Sequence, residues 1–184
     1  MKYKVDNPAL FSFFQKYLKA ALTDLDLYDS DLVDYIAAVA TRFARTERLF
    51  ALKDLSGKRL TTVVEMLLEA EEHSHVSFDR FNPGKERQIR QHIGDYTLFM
   101  TGLFREYIQN LGVMDLYFEK GKESYRAVSE LEEMAHGRSY PLFNLLARRF
   151  EHLSGGMDYM KKVYFTRGLG YNWLDELLRN LEPL

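Results

Sequence analysis

Residues 85–111, KERQIRQHIGDYTLFMTGLFREYIQNL, decide the fold of this chain. Ile89, Ile93, Tyr96, Met100, Leu103, Tyr107 and Leu111 recur at spacings of three and four, which places them on one face of an α-helix. Phe99 and Phe104 widen that face on either side. Leu98 lies opposite, close to Gly94, Thr101 and Gly102. The middle of the helix is therefore apolar or small almost all the way round, the pattern of a helix enclosed by others. Asn82, Pro83 and Gly84 mark its start and Gly112 its end. Gly94 and Gly102 each cost about 1 kcal/mol relative to Ala inside a helix. Close approach of another backbone is the expected compensation.

Asp95 falls inside this apolar stretch. A buried carboxylate without partners is expensive, so it must be hydrogen-bonded, paired or protonated. His92 stands three residues earlier and shares its side of the helix. Glu106 lies further along a nearby line, and Tyr125, on the following helix, is placed to add a hydroxyl. Asp95, His92, Glu106 and Tyr125 together are the candidate ligand-binding group. Asp95 would anchor a cationic or hydroxylated ligand, with His92 as its orienting partner. The competing reading is a satisfied buried Asp that fixes helix register beside a half-exposed His.

Residues 92–104, HIGDYTLFMTGLF, resemble a G-D-x-x-L-F-x-x-G-x-F signature found in a family of uncharacterised all-helical bacterial proteins of roughly 200 residues. Tyr17 to Phe50 and Tyr117 to Phe150 resemble that family's flanking segments. The resemblance implies a helical fold, with Gly94, Asp95, Leu98, Phe99, Gly102 and Phe104 at the matching positions. It implies no particular chemistry.

The 184 residues fit one domain, 1–184, with enough chain for a sizeable core. A formal charge of −2 gives no electrostatic reason to expect nucleic acid or an anionic membrane as partner. The chain has no Cys, which excludes disulfides, thiolate metal sites and a Cys nucleophile and fits a reducing cytoplasm. The N-terminus has two lysines but then Asp6 and Pro8, without the apolar run and small-residue site of a signal peptide. No apolar run approaches the roughly 18 residues that span a bilayer.

Taken in order, Asp6 or Asn7 caps a first helix with Pro8 in its first turn. Thr23 to Asp29 is a turn, and Ser30 is the expected cap of a second helix with Leu32, Ile36, Val39, Phe43 and Phe50 as its core stripe. A third helix is expected from Lys58 to Glu72. After the long helix, Asp115 is the expected cap of a fifth, stopped by Gly137. Ser139 and Pro141 open a sixth, which Gly155 and Gly156 either end or kink. Asn172 caps a short last helix docked by Trp173 and Leu174. No β alternation, repeat or linker interrupts the chain. The expected fold is an all-α bundle of six or seven helices wrapped around residues 85–111.

Glu47, Glu72-x-x-His75, Glu106 and Glu133-x-x-His136 imitate the order of a carboxylate-bridged di-metal bundle. Placement on antiparallel helices separates these groups by more than about 10 Å at 1.5 Å rise per residue, so one centre cannot collect them. No metal ligand set or cofactor is therefore assigned. Arg42, Arg45 and Arg48 form a basic line on the second helix that reads as a solvated face. Phosphate-loop, dinucleotide, zinc-protease and nucleophile-elbow motifs are absent. Without a catalytic motif, and with twelve Tyr and thirteen Phe, the chain reads as a protein-interaction or regulatory module, self-association included. A small-molecule binder or enzyme at Asp95 is the alternative, and a metal-binding bundle the second.

Overall fold

The computed structural model describes residues 5–54, 56–74, 82–137 and 141–165. Among these the protein is all-α, with eight helices: α1 (Pro8–Asp24), α2 (Ser30–Phe43), α3 (Thr46–Leu49), α4 (Val63–Glu72), α5 (Pro83–Leu103), α6 (Arg105–Asn110), α7 (Met114–His136) and α8 (Pro141–Tyr164). The described residues hold no strand; the nearest approach to one is an isolated antiparallel bridge between Lys53 and Arg59. The expected last helix with Trp173, like Ser139 and His75, lies outside the described residues.

Helix starts follow local chemistry. Asn7 caps α1, its Oδ1 accepting from the Leu10 N–H at 3.0 Å, with Pro8 at the first helical position. Asp29, not Ser30, caps α2, because its carboxylate takes both the Asp31 and Leu32 N–H groups at 2.9 and 3.1 Å. The third helix starts later than expected, at Val63. Thr62 accepts from the Glu65 N–H at 3.2 Å while the Glu65 carboxylate reaches back to the Thr62 N–H at 3.2 Å. That capping box leaves residues 58–62 outside the helix. Met114 opens α7 without a side-chain cap, so Asp115 sits in the first turn and does not cap it. Gly137 ends α7 at φ 62, and α8 runs unbroken through Gly155 and Gly156.

The stretch 85–111 is divided. A break at Phe104 (φ −116, ψ 36) ends α5 and starts α6. Every residue from Ile93 to Phe104 is buried, as the all-round apolar pattern requires. Beyond the break the buried position is Ile108, four residues after Phe104, while Tyr107 is half-buried and Leu111 exposed. The expected stripe through Tyr107 and Leu111 therefore fails where the helix phase is reset. A break orphans carbonyls at the end of the first segment. Two of them find side-chain donors: Arg105 Nη1 donates to the Thr101 carbonyl at 3.4 Å, and Lys161 Nζ from α8 donates to the Leu103 carbonyl at 3.0 Å.

Packing groups the chain into two compact units. Unit 1 comprises Met1–Leu49, Phe99–Gly112 and Glu151–Leu184; unit 2 comprises Phe50–Leu98 and Val113–Phe150. Two of the four boundaries fall inside continuous helices, α5 and α8; the other two lie at the end of α3 and in the turn at Gly112. Unit 1 buries Phe14, Leu18, Leu22, Leu32, Ile36, Phe43, Phe99 and Met157. Phe43 and Phe99 meet edge to face at 5.5 Å. Unit 2 buries Met66, Ile89, Ile93, Leu98, Tyr125, Val128, Leu146 and Phe150 around α5 and α7.

Candidate functional site

The candidate group is built at the meeting of α5 and α7 within unit 2. Gly94 has no side chain, so the Tyr125 ring lies directly against its backbone. A Cβ at that position would stand 2.7 Å from Tyr125 Cδ1 and Cε1. The compensation for this glycine is thus an aromatic ring, not a second backbone. With the ring placed there, the Tyr125 hydroxyl reaches the next residue and donates to Asp95 Oδ1 at 2.8 Å. One helical turn away the arrangement is repeated in reverse. Gly121 on α7 faces Phe150 and Thr97, whose hydroxyl donates to the Ile93 carbonyl at 2.7 Å. The pairs 94 with 125 and 97 with 121 run in opposite directions, so α5 and α7 are antiparallel neighbours here.

Asp95 and Tyr125 are both fully buried (0% exposed). A ligand would have to displace protein atoms to touch the carboxylate. Two observations therefore weigh on the packing side: zero exposure, and an acceptor already engaged by a phenol. His92 is half-buried and stacks on Tyr96, with ring centroids 6.5 Å apart and planes 14° from parallel. Glu106 lies beyond the break, in unit 1, where it pairs with Lys161 at 2.7 Å and Lys162 at 3.6 Å. The hydrogen bond from Lys161 is the main cause that holds the Glu106 carboxyl below the usual carboxylate range. Of the four candidate residues, the structure joins Asp95 and Tyr125 by a direct bond and places Glu106 in a separate ion-pair cluster.

The remaining sequence candidates separate. Arg42 lies over the Phe43 ring at 4.7 Å, Arg45 falls between helices, and Arg48 pairs with Asp6 at 3.3 Å. The basic line is broken because α2 ends at Phe43. Glu72, Glu133 and His136 are exposed, and the His136 ring contacts the Glu132 carbonyl at 3.1 Å. Among the described residues no three His, Asp or Glu side chains stand together as a metal site.

Sequence reading missed a set of buried charges in unit 2. Glu132 on α7 takes both Arg87 Nε, at 3.0 Å, and Arg87 Nη2 on one carboxylate oxygen. Glu86 pairs with Arg90 at 3.6 Å, and Glu69 meets His73 at 3.3 Å. The last two were legible, because each joins residues four apart on a helix. The first joins positions 45 apart and was not.

No protein family, characterised protein or solved structure matches this chain.

Proposed function

We propose that this chain is a protein-interaction module whose docking surface is the outward side of α4. The observation that carries this reading is the exposure of Val64 (54%) and Leu68 (60%), one helical turn apart on α4. Their neighbours Val63, Met66 and Ala70 are buried, so α4 offers a second, outward apolar edge that the fold leaves uncovered. The helix is also preorganised. Glu65 accepts from Lys58 Nζ at 2.9 Å while closing the capping box with Thr62. A helix already fixed at its start loses less freedom when a partner docks, and that favours affinity. Among the described residues no helix is long and apolar enough to cross a membrane, and the absence of Cys fits a cytoplasmic setting.

Self-association is the first case to test, since a second copy is always present. Light scattering on the full chain is expected to show a dimer, and Val64→Asp or Leu68→Asp is expected to return a monomer with unchanged helix content. A wild-type chain that stays monomeric, together with failure of the two variants to disturb any partner complex, would sink the proposal. A ligand-binding role for Asp95 has weaker support, because nothing beyond its chemistry favours it over the bond to Tyr125.

A further inference from the structure

A cleft of about 330 Å³ opens on unit 2 between α7 and the first half of α8. Its buried lining is small: Ser129, 4% exposed, and Ala147. Its rim is charged. Arg126, Glu130 and Glu133 follow one face of α7 at positions i, i+4 and i+7, and Arg148 stands on α8. Asn144, one turn before Arg148, also lines the cleft and adds an amide.

Some unit 2 ions are paired, as in Arg87 with Glu132 and Lys58 with Glu65. Arg126, Arg148, Glu130 and Glu133 have no hydrogen bond or ion pair among the described residues, although Arg126 and Glu130 have the spacing of a helix ion pair. The Ser129 hydroxyl, on a residue more than nine-tenths buried, likewise has no partner among them. Its oxygen is not sealed from the cleft, so water or a ligand can reach it.

We propose that this cleft binds a small zwitterion, a molecule carrying both a carboxylate and an ammonium group, such as a dipeptide. Planar guanidinium groups suit a carboxylate, and the facing Glu side chains suit an ammonium. A purely anionic ligand would gain from the two arginines and lose to the two glutamates. The size of the cleft, at the lower end of the roughly 300–1,000 Å³ usual for small-molecule sites, suits a short ligand.

The test uses the full chain with alanyl-alanine, its N-acetyl and C-terminal amide forms, and inorganic phosphate. Amide resonances of Ser129 and Ala147 report binding, and circular dichroism checks that variants fold. Alanyl-alanine is expected to move both resonances, and each capped form to bind more weakly. Arg126→Gln, Arg148→Gln and Glu133→Gln should each weaken binding roughly tenfold or more, as expected for loss of a charge-assisted bond. All three side chains are exposed and make no ion pair among the described residues, so these variants should keep the wild-type spectrum. Unmoved resonances, capped forms that bind as well as the parent, variants that bind as well as wild type, or phosphate displacing the dipeptide would each overturn the proposal.

Discussion

Unit 1 and unit 2 solve the same packing problem with different materials. In unit 2, Gly94 and Gly121 receive the rings of Tyr125 and Phe150. In unit 1, Gly102 and Gly156 receive the aliphatic chains of Met157 and Leu22. A ring is a rigid plate and, in tyrosine, carries a hydroxyl that must be satisfied when buried. Leu22 and Met157 make no such demand. The difference explains the buried carboxylate: Asp95 stands where the Tyr125 hydroxyl arrives. In unit 1 the polar work is done at a helix break, where Lys161 and Arg105 serve the carbonyls that the break leaves open.

The two units should respond most differently to substitution at their glycines. Gly121→Ala would put a methyl group 2.3 Å from Phe150 Cζ and 2.5 Å from Thr97 Oγ1. Neither neighbour can swing aside easily, so a loss of about 2 kcal/mol or more is expected in urea unfolding. Gly156→Ala meets a single methyl, Leu22 Cδ2, at 2.5 Å, at the end of a flexible side chain. The better helix propensity of Ala, worth about 1 kcal/mol, offsets that displacement, so a net change under about 1 kcal/mol is expected. Equal losses in the two variants would remove the distinction between rigid and yielding neighbours.

The polar pair comes next. Asp95→Ala removes the acceptor of the Tyr125 hydroxyl in the core and is expected to cost about 1–3 kcal/mol; Asp95→Asn, which keeps an acceptor, should cost less. If both substitutions leave the unfolding midpoint unmoved, the bond has no structural weight and the ligand reading regains ground. In unit 1, Lys161→Met keeps the aliphatic stem but removes the donor to Leu103 and Glu106. A loss of about 1 kcal/mol is expected, with faster hydrogen exchange around the break.

The smallest effect is set by pH at the start of α4. Lys58 first, then the Thr61 and Thr62 N–H groups, hold the Glu65 carboxyl down at about 2, against an ordinary value of 4.5. A group whose pKa is lowered on folding stabilises fully above its unfolded value and loses that contribution as pH falls towards its folded one. The Glu65 contribution is thus present above about pH 4.5 and fades towards about pH 2. Because the pair is solvated, global stability should move little; exchange of the amides in the first turn of α4 should report it. Thr62→Ala removes the other half of the box and should cost about 1 kcal/mol at neutral pH.

Much of this molecule was written in local chemistry. Asn7 with Pro8, Gly137 and the buried run 93–104 could be read from residue type and spacing, because each is decided within a few residues along the chain. The T-x-x-E box at Thr62 was equally legible in principle, and the expected start at Lys58 overlooked it. Of the candidate group, Asp95 and its need for a partner followed from a carboxylate set among apolar neighbours. That Tyr125 supplies the bond, at 30 residues' distance, depends on how α7 lies on α5. The same holds for the break at Phe104, where the periodicity of 85–111 continues in sequence but the helix does not. Helix ends and apolar faces belong to the chain itself, since neighbouring residues impose them; phase resets, long-range bonds and the uncovered edge of α4 arise only when helices compete for the same space.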